Sequence, residues 1–135
     1  MKLPNITKKQ KEILKLLYSY RFLNRIQIQT IMNHKDYKTI NLWLKDLREK
    51  HYVEWIYSTH FAEKTKPAIY YLGISGIRYL KTFNDAELDY MPYPVEELHK
   101  RYREQTRSQT YIDRCILLAN FVIDLEQARD KENIP

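Results

Sequence analysis

Lys38, Asn41, Lys45 and Arg48 stand three, four and three residues apart, so on a helix they share one face. Ammonium, amide and guanidinium groups in that array donate hydrogen bonds to phosphate oxygens and to base edges, which is what a helix lying in a DNA major groove requires. Thr39 and Leu42 flank the array and would turn toward bases or phosphates with it, and Arg25 adds a cation from the preceding helical stretch. Any surface helix carries polar residues outward, so this face must be weighed with the rest of the chain.

Other chemistry is thinly supplied. His34, His51, His60 and His99 fall in different elements without ligand-type spacing, and the single cysteine, Cys115, excludes a zinc knuckle or ribbon. Asp124 and Glu126 are the one close carboxylate pair within an apolar run, yet two residues apart on a helix they do not face each other, and no Glu-x-Lys companion follows. Gly73 and Gly76, the only glycines, belong to no phosphate-binding loop. No catalysis, no metal, no cofactor and no small-molecule ligand are therefore expected. Cys115 reads as an inert buried thiol in a reducing compartment. With no signal peptide and no apolar run near 18 residues, the expected location is cytoplasmic, with no membrane contact.

The 135 residues, 44% apolar, suit one ordinary domain. A formal charge of +6 points to an anionic partner. Its distribution says more: residues 1–50 hold 12 Lys and Arg against 4 Asp and Glu, whereas residues 84–135 hold 7 against 11. The basic excess coincides with the candidate recognition helix, and the tail is acidic.

The elements that would position that helix are legible in order. Thr7 and Gln10 form a capping box ahead of a stripe of Ile13, Leu16, Leu17 and Tyr20. Asn24 and Gln27 repeat it, with Leu23 placed to staple onto Ile28, and this second helix ends near Asn33. Asp36 with Thr39 starts the third helix, whose Ile40, Trp43, Leu44 and Leu47 face a core. After His51 the period changes to two: Val53 to Tyr57 and Ala68 to Leu72 read as strands joined by a loop of about ten residues, a wing carrying Lys64 and Lys66. The fold expected is mainly α with a small β-hairpin, a winged helix-turn-helix over residues 1–83.

The stretches ILKLLYSYRFLNRIQIQTIM, LWLKDLREKHYVEW and IYYLGISGIRYLK resemble the N-terminal winged helix of the replication-relaxation family of plasmid and mobile-element proteins. Tyr70, Leu72, Gly76 and Leu80 are also similar to the pattern that closes the wing in many bacterial winged-helix regulators, including PadR-like ones. The resemblance covers residues 7 to about 83 and rests on hydrophobic and turn positions, so it implies a fold more firmly than a function. Two positions depart from the pattern: Gly73 stands where a helix-capping Thr is usual, and Lys50-His51-Tyr52 replaces the usual helix-ending glycine. The resemblance implies an accessory role in plasmid replication or transfer, or regulation of those genes.

Residues 84–94 read as an acidic, proline-bearing linker, and residues 95–135 as a helical extension. Pro94 opens a polar helix anchored by Leu98 and Tyr102, and Thr110 with Asp113 would cap the last one. That last helix carries Ile112, Cys115, Ile116, Ala119, Val122 and Leu125, and Phe121 widens the apolar surface. So much apolar circumference has to be covered, and Ile112, Ile116, Phe121 and Leu125 are the expected interface of a homodimer. The expected partner is double-stranded DNA. The alternative is a winged helix that binds another protein through its last helix.

Overall fold

Each helix of the N-terminal half starts on a side chain that satisfies its open backbone N–H groups. α1 (Lys8–Tyr20) begins at Thr7, whose hydroxyl accepts from the Gln10 N–H while Gln10 Oε1 accepts from the Thr7 N–H. α2 (Arg25–Ile31) begins with the same reciprocal pair, Asn24 and Gln27. At α3 (Tyr37–Glu49) the Asp36 carboxylate accepts from the Thr39 hydroxyl and the Lys38 N–H, both at 2.9 Å. These two bonds hold its carboxyl below the usual carboxylate range. The structure, a computed structural model, describes residues 3–56, 67–86 and 93–132.

Both α2 and α3 end in a Schellman turn built without glycine. After α2, Asn33 has φ 53°, its N–H donating to Thr30 O and the His34 N–H to Gln29 O. After α3, His51 has φ 63°, with His51 N–H on Arg48 O and Tyr52 N–H on Leu47 O at 2.9 Å. The missing glycine thus leaves the turn intact and puts a histidine in the left-handed region. That turn delivers the chain into the sheet.

The sheet has three antiparallel strands where a two-stranded hairpin was expected. β1 (Leu23–Asn24), β2 (Val53–Ile56) and β3 (Ile69–Leu72) lie in the order β1-β3-β2, with Leu23 opposite Tyr70 and Trp55 opposite the same residue from the other side. A two-residue strand is too short to show a period, which is why β1 escaped the sequence reading. α4 (Ile74–Ala86) follows β3 directly through Gly73, whose N–H donates to Tyr52 O. A Cβ at Gly73 would sit 2.5 Å from His51 O, and one at Gly76 2.2 Å from Tyr52 O. The capping Thr of the wider pattern has no room here because this carbonyl turn presses on the start of the helix. α4 continues to Ala86, beyond residue 84, since no proline or glycine stops it.

The core collects Ile13, Leu14 and Leu17 of α1, Ile28 of α2, Ile40, Leu44 and Leu47 of α3, and Tyr52, Val53, Tyr70, Leu72, Ile77 and Leu80 beyond them. Each such side chain stabilises the fold by about 1.5–3 kcal/mol relative to exposure. In α1 the buried set is Gln10, Ile13, Leu14 and Leu17, so Leu14 replaces Leu16, which with Tyr20 sits half-buried at the border. Leu23 and Ile28 are both fully buried, as a staple requires.

The C-terminal segment packs on this body. α5 (Val95–Arg101) buries Leu98, but its second anchor is Arg101, not Tyr102, which is exposed. The Arg101 guanidinium donates to the Tyr18 carbonyl at 2.8 and 3.2 Å, satisfying the last turn of α1. A 3₁₀ turn (Glu104–Thr106) follows, and Glu104, 1% exposed, accepts two bonds from Arg21 at 2.6 and 3.0 Å. α6 (Gln109–Glu132) is started by Ser108, whose Oγ accepts from the Tyr111 N–H, and Thr110 lies inside the helix. Its inner face is Ile112, Ala119 and Ile123.

Two substitutions should move stability in opposite directions, measured by urea midpoint at neutral pH. His51→Gly removes a left-handed β-carbon and should stabilise by about 1 kcal/mol. Gln27→Glu keeps the cap acceptor but loses the donors that reach α6 and buries a charge, and should destabilise by about 2 kcal/mol or more. A stabilised Gln27→Glu variant would contradict this account of the α2–α6 contact.

Candidate nucleic-acid interface

The apolar stripe of α3 fixes which of its side chains face outward. With Ile40, Leu44 and Leu47 fully buried and Trp43 half-buried against them, Lys38, Asn41, Leu42 and Lys45 project into solvent. Helical geometry thus assembles the cations and the amide singled out by spacing. Leu42, 66% exposed, sits among them as the one large apolar group. Thr39 is half-buried and its hydroxyl donates to Asp36, so it serves the helix start.

Arg25 and Arg48 border the same surface from either end. The Arg25 guanidinium lies 5.7 Å from the ring centre of Tyr37, itself an exposed residue at the first turn of α3. Arg48 lies 3.6 Å over the Trp55 ring of β2. Between them runs an open groove of about 380 Å³, lined by Arg25, Asn41, Lys45, Arg48, Trp55 and Tyr70 among others. Burial pushes the Tyr70 hydroxyl up from its ordinary pKa, while the positive charges of Arg48 and Arg25 act the other way. Trp55 and Tyr70 were not in the set drawn from the sequence, where they read only as strand residues.

Lys64 and Lys66, expected at the wing tip, lie outside the described residues. Of the expected dimer-interface residues, Ile112 is 4% exposed and packs inside the chain, because the inner face of α6 starts with it. Ile116 is half-buried and its carbonyl accepts from Gln27 Nε2 at 2.9 Å. Phe121 and Leu125 are exposed, and Leu117 and Leu118 join them. Burial raises the pKa of Cys115, so its thiol stays protonated. Among the described residues no group of His, Cys, Asp or Glu is arranged to hold a metal, and no helix is long and apolar enough to cross a membrane.

The order α1, β1, α2, α3, β2, β3, with the three strands in one antiparallel sheet, defines a winged helix-turn-helix fold. The chain belongs to the replication-relaxation family, whose model matches residues 14–134 and so takes in the C-terminal helices as well. Solved structures with a similar fold include a MepR variant from a multidrug-resistant S. aureus clinical isolate, with TM-score 0.51 at 17% identity over 92% of this chain and 80% of that one. A second MepR variant, bound to an oligodeoxyribonucleotide, gives 0.51 at 18% identity over 91% and 80%. A Lactococcus lactis ZitR variant gives 0.50 at 15% identity over 95% and 78%. No curated protein sequence matches the chain.

On this geometry Asn41→Ala and Lys45→Ala should weaken binding to a specific duplex more than Lys64→Ala does. An amide on adenine or an ammonium on guanine contributes about 1–3 kcal/mol of discrimination, whereas a lysine that meets only phosphate acts alike on all sequences. Equal losses on specific and random duplexes for all three variants, in mobility-shift titrations, would show that α3 does not read bases.

Proposed function

We propose that this protein binds double-stranded DNA without catalysis, laying α3 in the major groove with Lys38, Asn41, Leu42 and Lys45 toward bases and phosphates. The observation that carries this is the outward face of α3: cations and an amide continuous with a groove that has no carboxylate among its described lining residues. Family membership supports an accessory or regulatory role in the replication or transfer of a plasmid or mobile element. A cytoplasmic site of action fits such a target. The oligodeoxyribonucleotide bound to a MepR variant shows that this fold accommodates DNA in that protein.

The test is a mobility-shift titration on random and element-derived duplexes at several salt concentrations. If about five phosphates are neutralised, log K should fall against log salt with a slope of roughly −4 to −5. A slope near zero, or no binding at low salt, removes this reading and favours a protein-binding module.

We also propose a homodimer through α6. Leu117, Leu118, Phe121 and Leu125 are 68, 63, 60 and 54% exposed, and the last three follow the three-and-four spacing of a helix–helix seam. A two-fold pair through that seam would present two copies of α3 to half-sites about one helical turn, or a multiple of it, apart. Light scattering at tens of micromolar should find a dimer for the intact chain and a monomer for Phe121→Glu. A monomeric intact chain would leave this face for a different protein.

A further inference from the structure

The groove beside α3 contains an arrangement that a merely solvated basic face does not need. Arg48 Nε is buried and has no hydrogen-bond partner among the described residues. Its guanidinium carbon lies over the Trp55 ring, 3.6 Å from the ring centre, and Trp55 is in turn paired across the strands with Tyr70, ring centres 6.1 Å apart. Stacking on an aromatic face fixes the guanidinium plane and strips water from one side of it while leaving its donor edge to face a ligand. Arg25 and Lys45 line the same groove, with no carboxylate among its described lining residues. Three cations around one open groove call for an anion, and two oxygens of a phosphate can meet the terminal N–H groups of the Arg48 guanidinium bidentately. The groove is open and runs into the exposed face of α3, so the anion belongs to an extended polymer, not to a small enclosed ligand.

We propose that this groove is the seat of one backbone phosphate of duplex DNA, with Arg48 as its ligand and Trp55 as the residue that positions Arg48. The inference rests on the DNA-binding reading and adds to it a fixed point of register: base contacts from Asn41 and Lys45 would be measured from the phosphate held at Arg48.

The test is a double-mutant cycle on the full chain with a random-sequence duplex, titrated at several salt concentrations. Trp55→Leu keeps apolar bulk on the strand but removes the ring face. It should weaken binding about tenfold and reduce the magnitude of the salt slope by about 1, although it removes no charge, because Arg48 is no longer held on the phosphate. Arg48→Ala should do the same, the double variant should be no worse than either, and Trp55→Phe should bind close to wild type. In a Trp43→Phe background Trp55 is the only tryptophan, and its emission should respond to the duplex. If the wild type binds with the expected slope while Trp55→Leu leaves affinity and slope unchanged, or weakens binding additively with Arg48→Ala, the phosphate seat is wrong and DNA binding stands. If the wild type does not bind duplex DNA at low salt, both fall.

Discussion

Two buried glutamine amides hold the helix-turn-helix to the rest of the molecule. Gln10 and Gln27 are 2 and 3% exposed, and each uses its side-chain oxygen to close the capping box of its own helix. The NH₂ group of each is then free to bind a second helix. From Gln10 it reaches Trp43 O at 3.3 Å and Asp46 Oδ2 at 2.8 Å, tying α1 to the middle of α3. From Gln27 it reaches Ile116 O at 2.9 Å and Asn120 Oδ1 at 2.8 Å, tying α2 to α6. A glutamate would cap as well but has no donor to give, so the choice of amide over carboxylate at these two positions is what couples local helix starts to tertiary packing. Such bonds are directional where apolar burial is not, and the roll of α3 about its axis, hence the side chains it exposes, depends on them.

The C-terminal acidity has an internal use. Glu104 is almost wholly buried and lies between Arg21, at 2.6 Å, and Arg107, at 3.3 Å. A carboxylate in that position is tolerable only because paired guanidinium groups replace its water. Arg21 is part of the N-terminal basic excess, so one of those cations is spent inside the fold and not on a partner. The cations of α3 have no such internal partners in the same segment: Lys38 and Lys45 stay exposed, and Asp46, on another side of the helix, is engaged by Gln10 and Lys50. Positive charge therefore survives folding on the face of α3 where the spacing pattern had placed it.

Much of this was legible because it is local. Capping boxes at Thr7 and Asn24, the start at Asp36 and the stripe Ile40-Leu44-Leu47 depend on residues within one or two turns of each other. What was missed is long-range. β1 exists only because β3 arrives to pair Leu23 with Tyr70, 47 residues later. Arg101 and Glu104 look like solvated charges until Tyr18 O and Arg21 are brought to them. Ile112 was grouped with Phe121 and Leu125 as surface because nothing in a single apolar helix says which arc meets α2 and β1. Trp55 read only as a strand residue because its alternation with Val53 hides that the edge of β2 meets the end of α3.

α2 is the place where the two surfaces of the molecule meet. Arg25 and Gln27 are two residues apart, roughly 200° around a helix, and so point to opposite sides. Arg25 faces Tyr37 and the groove beside α3, while Gln27 is bonded to the backbone of α6. Only Ile28 and its neighbours lie between, and Ile28 is fully buried. Close-packed interiors transmit displacement instead of absorbing it. A shift of α6 along its axis would carry Ile116 O away from Gln27 and load the α2 capping box, since the same amide serves both. α6 and Arg25 at the groove are thus both referred to one short helix, whose Gln27 carries the bond to α6 and whose first residue borders the groove.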